Sequence, residues 1–128
     1  MTAPRVAGFE NATGTLRRFT STDPLVADLA NDIEALYPGH VVSVNRTIRD
    51  ALGMRVTDLD IELQNSIIQV KSGAGGRLPG QMIRTENAMG VPVIGYGPDL
   101  ARGLVGHIEM QGWLVTTDRQ LLLEVVKP

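Results

Sequence analysis

The chain concentrates its reactive side chains between Asp58 and Lys71. Three acids stand at alternate positions, Asp58, Asp60 and Glu62, and Gln69 and Lys71 come after them, again two apart. Alternation is the period of a β-strand, so each set points to one face of its strand. If Gln64-Asn65 is a two-residue turn, Leu63 faces Ser66, Ile61 faces Ile68, Asp60 faces Gln69, Leu59 faces Val70 and Asp58 faces Lys71. One face of this hairpin is then apolar, built from Leu59, Ile61, Leu63, Ile68 and Val70, while the other gathers the acids, the amide and the ammonium. Its plainest reading is a solvated face on which Asp58 and Lys71 form a cross-strand ion pair contributing well under ~1 kcal/mol.

A second group lies directly after the first. The loop Ser72 to Gly76 leads into a helix, and its backbone N–H groups, with Arg77, Gln81 and Arg84, could bind phosphate; the plain alternative is a flexible strand-to-helix connection. Other motifs fail. Lys71-Ser72 lacks the preceding glycines of a Walker loop, and Gly95-Tyr96-Gly97 has Leu100 where a dinucleotide fingerprint needs glycine. His40, expected at a strand edge, and His107, on a helix flank, are too isolated for zinc, and there is no cysteine. Ser43, Ser66 and Ser72 have no nucleophile-elbow context. Trp113 and Tyr96 could stack bases, but aromatic residues at strand positions are more often core.

The elements that must position these groups are set by periodicity and punctuation. Residues Met1 to Ser21 read as a loosely ordered lead-in, with room for a short helix around Gly14 to Phe19. Asp23-Pro24 starts a helix to Leu36, whose Leu25, Leu29, Ile33 and Leu36 share a face, and Tyr37-Pro38-Gly39 ends it. His40 to Asn45 reads as a strand and Arg46 to Leu52 as a linking turn or single helical turn closed by Gly53. After the hairpin come a helix from Leu78 to Met89, an interior strand from Val91 to Tyr96, a helix from Pro98-Asp99 to Gln111 and a strand Trp113 to Thr116. Asp118 can cap a last element, and Gln120 to Val126 suits helix or strand equally. The sum is a mixed α/β layer architecture around a central sheet.

Composition bounds the function. With 128 residues, the chain suits one domain able to bury its own core. No apolar run approaches the roughly 20 residues that span a bilayer, so no membrane partner is expected. Nor does the N-terminus have the basic-then-apolar build of a secretory signal. A net charge of −2 sets up no global field for nucleic acid, yet the basic residues are nearly all arginine, the side chain suited to forked contacts with phosphate.

Acids on one strand and Gln-Val-Lys on its partner, in this order of elements, resemble the PD-(D/E)xK nuclease superfamily, whose restriction-endonuclease-like fold has an αβββαβ core. The likeness covers roughly Pro24 to Tyr96. Within it, Ile-Ile-Gln-Val-Lys-Ser-Gly and Val-Pro-Val-Ile-Gly-Tyr-Gly-Pro look like the nuclease domains of bacterial polymorphic and contact-dependent toxins. The resemblance implies a mixed central sheet flanked by helices and metal-assisted hydrolysis of phosphodiester bonds in DNA or RNA. It assigns the catalytic roles to Asp60, Gln69 and Lys71. Mg2+ or Mn2+ would be held by Asp60 and Gln69 with Asp58, Glu62 or Glu34 supplying further charge, and Arg77, Gln81 and Arg84 would meet the substrate. Gln69 departs from the family pattern, which has an acid there. A toxin domain further implies a cognate immunity protein and either a cytoplasmic location or delivery into another cell. Two alternatives are a catalytically inactive module of this fold that binds nucleic acid or protein, and a small structural or regulatory subunit whose acidic face meets a basic partner.

Overall fold

The computed structural model describes residues 16–128. Residues 1–15, with most of the expected lead-in, lie outside the described residues. Leu16 to Ser21 have no regular secondary structure but are fastened to the first helix. Arg17 bonds Glu34, and Phe19 exchanges two hydrogen bonds with the Asn31 side chain.

That helix, α1 (Pro24–Leu36), begins as the sequence predicts. The Asp23 carboxylate accepts the Leu25 N–H at 2.9 Å and proline occupies the first turn, where no N–H is needed. It buries Val26, Leu29, Ala30 and Ile33. Strands β1 (Val41–Arg49) and β2 (Arg55–Leu63) form an antiparallel hairpin. The expected turn over Arg46 to Leu52 is therefore corrected: Arg46, Thr47 and Ile48 continue β1 by pairing with Leu59, Asp58 and Thr57. The true turn lies beyond them, where Asp50 Oδ1 accepts the N–H groups of Leu52 and Met54 and Gly53 adopts a φ of 80°.

Then come β3 (Ile67–Val70), α2 (Leu78–Met89), β4 (Val93–Tyr96), α3 (Arg102–Met110), β5 (Leu114–Thr116) and α4 (Arg119–Val125). Helix α3 starts later than Pro98-Asp99 suggests, and Leu100 is buried from the preceding loop instead of from a helical stripe. The C-terminal run resolves as a helix, capped by Asp118 as expected, whose carboxylate accepts from Gln120 and Leu121. No helix among the described residues is long and apolar enough to cross a membrane.

The five strands form one mixed sheet in the order β1-β2-β3-β4-β5, antiparallel across the first three and parallel across the last three. Helices cover both faces. Ile61, Leu63, Ile68, Val70, Ile94 and Tyr96 pack with α1 and the Leu122–Val126 end of the chain. On the other side Leu78, Met82, Val93, Ile108 and Val115 join α2 and α3 to the sheet. His40 is buried, not at an exposed edge, with its Nε2 2.8 Å from the Val126 carbonyl.

Two glycines permit close approach. A Cβ on Gly95 would lie 2.9 Å from Met82 Sδ, so α2 sits against the bare strand. A Cβ on Gly97 would lie 2.3 Å from the Lys71 carbonyl, while the Lys71 N–H donates to the Tyr96 carbonyl at 2.9 Å. The backbone of Lys71 is thus held against the end of β4. Gly97→Ala is expected to cost about 1–3 kcal/mol through this overlap, because neither backbone can swing aside. Urea denaturation of the variant beside the parent protein measures it.

Candidate active site at the parting of β2 and β3

The β2–β3 ladder has the expected register, Ile61 opposite Ile68, and the Leu63 N–H donates to the Ser66 carbonyl at 2.8 Å. It ends there. The further rungs expected at Asp60/Gln69, Leu59/Val70 and Asp58/Lys71 are absent from the register, and side chains take their place. Gln69 Oε1 accepts the Asp60 N–H at 3.2 Å and its Nε2 donates to the Asp58 carbonyl at 2.9 Å. In return the Asp60 carboxylate accepts the Val70 N–H at 2.8 Å through Oδ2.

Helix α2 completes the arrangement. The second hydrogen of Gln69 Nε2 goes to Thr85 Oγ1 at 2.6 Å, Thr85 bonds the Thr57 hydroxyl at 2.9 Å, and Gln81 Nε2 donates to Gln69 Oε1 at 3.0 Å. A glutamine amide has two hydrogens to give and two lone pairs to accept with, and all are used. The amide's orientation is set by its partners, since a backbone N–H only donates and a carbonyl only accepts.

This corrects the expectation for Gln69, which is fully buried and has no lone pair left for a metal. It is a bracket that holds β2 away from β3. The expected charged face fails for the same reason: β3 is buried along its whole length, so Gln69 lies under α2 and not in solvent. The Asp58–Lys71 pair does not form either. Asp58 is bonded to Arg55 at 2.8 Å and to the Thr47 hydroxyl at 2.8 Å.

Where the strands part, a polar cleft of about 400 Å³ brings together Asp58, Asp60, Lys71, Arg77, Gln81 and Arg84. A second cleft, of about 670 Å³, opens on the α1 side and also reaches Asp58 and Asp60. Glu34 and Glu62 line neither cleft. Glu34, at the far end of α1, is 3% exposed and accepts from the Arg17 side chain, the Arg17 N–H and the Gly39 N–H. Glu62 is bonded to both Arg46 and the Ser43 hydroxyl. Both are tied into structural pairs outside the clefts and are withdrawn as ligands.

The electrostatics sort the acids in the same way. Burial alone would raise the Glu34 carboxyl, but the bonds from Arg17 and Gly39 outweigh it and hold it below its ordinary value. The hydrogen bonds from Arg46 lower Glu62 against a smaller burial effect. Asp60 goes the opposite way. Burial raises it, the Val70 N–H and the Lys71 ammonium offset only part of that, and the charges of Asp23 and Asp58 add to the rise.

No three His, Cys, Asp or Glu side chains converge among the described residues, so a cation would rest on Asp58 and Asp60 with neutral oxygens. That donor set fits magnesium, which is commonly held by one or two carboxylates together with substrate phosphates. Gln81, a residue of the cleft lining, gives its Nε2 to Gln69 and leaves its buried Oε1 without a partner among the described residues. Such a group is costly unless something supplies a donor or a cation. Periodicity carries no sign of the bracket, since Thr85 and Gln81 sit on a helix whose spacing says nothing about a strand beneath it.

Two measurements probe this geometry. Gln69→Glu sets an acceptor against the Asp58 carbonyl and should cost about 1–3 kcal/mol or more in urea unfolding. Asp60→Asn keeps the acceptor for the Val70 N–H and removes the charge. Because the folded-state pKa of Asp60 lies above its ordinary 3.8, the protonated form favours folding. That contribution is complete below the unfolded value and is lost as pH rises through the folded one. Asp60→Asn should therefore be more stable than the parent at neutral pH, with the difference closing in acid.

Comparisons of the chain with protein-family models, with curated proteins and with solved structures return no match.

Proposed function

We propose that the protein is a metal-dependent nuclease with a restriction-endonuclease-like core, hydrolysing phosphodiester bonds in DNA or RNA as a toxin-type effector domain. The observation that carries this reading is the meeting of Asp60, Lys71, Arg77 and Arg84 in one cleft at the parting of β2 and β3. The element order α1-β1-β2-β3-α2-β4 supports it, being the order the PD-(D/E)xK resemblance calls for.

Asp60 would hold Mg2+ or Mn2+, with Asp58 lining the same cleft. The ion would supply Lewis acidity, lowering the pKa of a bound water and offsetting charge on the scissile phosphate. Arg77, the residue before α2, and Arg84, on its second turn, would seat the phosphate. Lys71, with its backbone fixed against β4, would stabilise charge developing on the phosphoryl oxygens or orient the attacking water. Gln69 acts one step back, fixing the backbone from which Asp58 and Asp60 project. As a toxin the domain would meet a cognate immunity protein, either in the cytoplasm that makes it or after delivery.

One observation favours a second reading, an inactive module that binds nucleic acid. With Gln69 spent on structural bonds, the site has two carboxylates, and Asp58 is already paired with Arg55. Cleavage assays separate the two. Plasmid, single-stranded DNA and tRNA should be cut with magnesium or manganese and spared with chelator. Asp60→Ala and Lys71→Ala should each lower the rate by at least ~10²-fold. Wild-type rates in either variant would sink the assigned site, and binding without any cleavage would establish the module.

A further inference from the structure

The two clefts that share Asp58 and Asp60 differ in chemistry. Toward α2 the wall is cationic, with Arg55, Lys71, Arg77 and Arg84. Toward α1 it is neutral, with Thr20, Ser21, Thr22, Asn45 and Thr47, and its only charged lining groups are the two shared carboxylates. A phosphate placed there would face Asp58 and Asp60 with no cation to compensate. Hydroxyls and an amide instead both donate and accept, matching sugar hydroxyls and base edges. The volume of about 670 Å³ lies within the range of small-molecule sites.

Asn45 anchors this wall. It is the one non-glycine with positive φ among the described residues, at 56° in the middle of β1, a conformation that asparagine tolerates better than most residues. Its Oδ1 accepts the Ser21 hydroxyl at 2.6 Å, and Ser21 Oγ in turn accepts the Asp23 N–H at 3.1 Å. The amide is thereby held by its oxygen, and its NH2 has no acceptor among the described residues.

We infer that the α1-side cleft is the nucleoside side of the site: a polynucleotide crossing Asp58 and Asp60 sets its phosphates toward α2 and lays the neighbouring sugar and base against Thr22 and Asn45. This rests on the nuclease reading. It assigns neutral, salt-insensitive binding to one wall and counterion-releasing binding to the other.

The test is fluorescence anisotropy of labelled single-stranded DNA and RNA oligonucleotides with the full chain, over a range of salt, with chelator to prevent cleavage. Asn45→Gly removes the side chain while tolerating the positive φ, and Thr22→Val removes a hydroxyl at nearly constant volume. Each is expected to weaken binding about 5- to 10-fold at every salt concentration with the slope unchanged. Arg77→Ala and Arg84→Ala should each flatten the salt slope by about 1. Wild-type affinity in both neutral-wall variants, beside weakened arginine variants, overturns the inference and leaves the nuclease reading standing. A flattened slope in Asn45→Gly also overturns it, by placing phosphate on that wall. No binding of either oligonucleotide by the parent chain, together with no metal-dependent cleavage of plasmid, overturns both. Should Asn45→Gly fail to fold, Thr22→Val decides alone.

Discussion

One buried amide governs this molecule. Gln69 stands where a sheet would otherwise continue, and its side chain offers β2 the donor and the acceptor that a strand would have offered, to the Asp58 carbonyl and the Asp60 N–H. The sheet can part without leaving buried backbone groups unpaired, which would cost about 1–3 kcal/mol apiece. The same amide is bonded to Thr85 and Gln81 of α2. Parting of the strands, docking of the helix and placement of Asp60 are therefore one network centred on Gln69, whose own donors and acceptors are all used.

The charges are arranged by that constraint. Acids free to find arginines on exposed or loop surfaces did so: Glu34 with Arg17, Glu62 with Arg46, Asp32 with Arg119. Asp60 did not: it is half-buried at the parting, and one of its oxygens accepts the Val70 N–H. Its raised pKa is the mark of a carboxylate placed by its backbone and not by a partner cation. Groups in that condition cluster at functional sites because an incoming charge relieves them.

The features legible in the sequence are those that local residues decide. Asp23-Pro24 and Asp118 announce helix starts through bonds spanning two or three residues. The Gln64-Asn65 turn sets the hairpin register by itself, and the apolar face of that hairpin lies where alternation puts it. Partners distant in sequence were illegible. Strand β1 runs past Asn45 because Arg46 to Ile48 find β2 across the hairpin, not because of their own propensity. Gln69 read as a ligand since its true partners on α2 lie 12 and 16 residues away. Asn45 gave no sign either, for the partner of its side chain, Ser21, lies 24 residues earlier.

The bracket also explains why this position holds a glutamine where the resembling superfamily has an acid. At 2.9 Å from the Asp58 carbonyl the side chain must donate, and a carboxylate cannot. For a cation bound at this cleft, the charge that an acid at this position would give would have to come from elsewhere, and Asp58 lines the same cleft as Asp60. Its present partners are weak holds: Arg55 is 68% exposed, and an ion pair so open to water is worth about 0–1 kcal/mol. The Thr47 hydroxyl is neutral. A divalent ion on Asp60 would offer Asp58 a stronger Coulombic partner than either. In this geometry Gln69 leaves Asp58 and Asp60 as the acids that a cation would meet in the cleft. Both acids come from β2, the one strand whose backbone the amide holds.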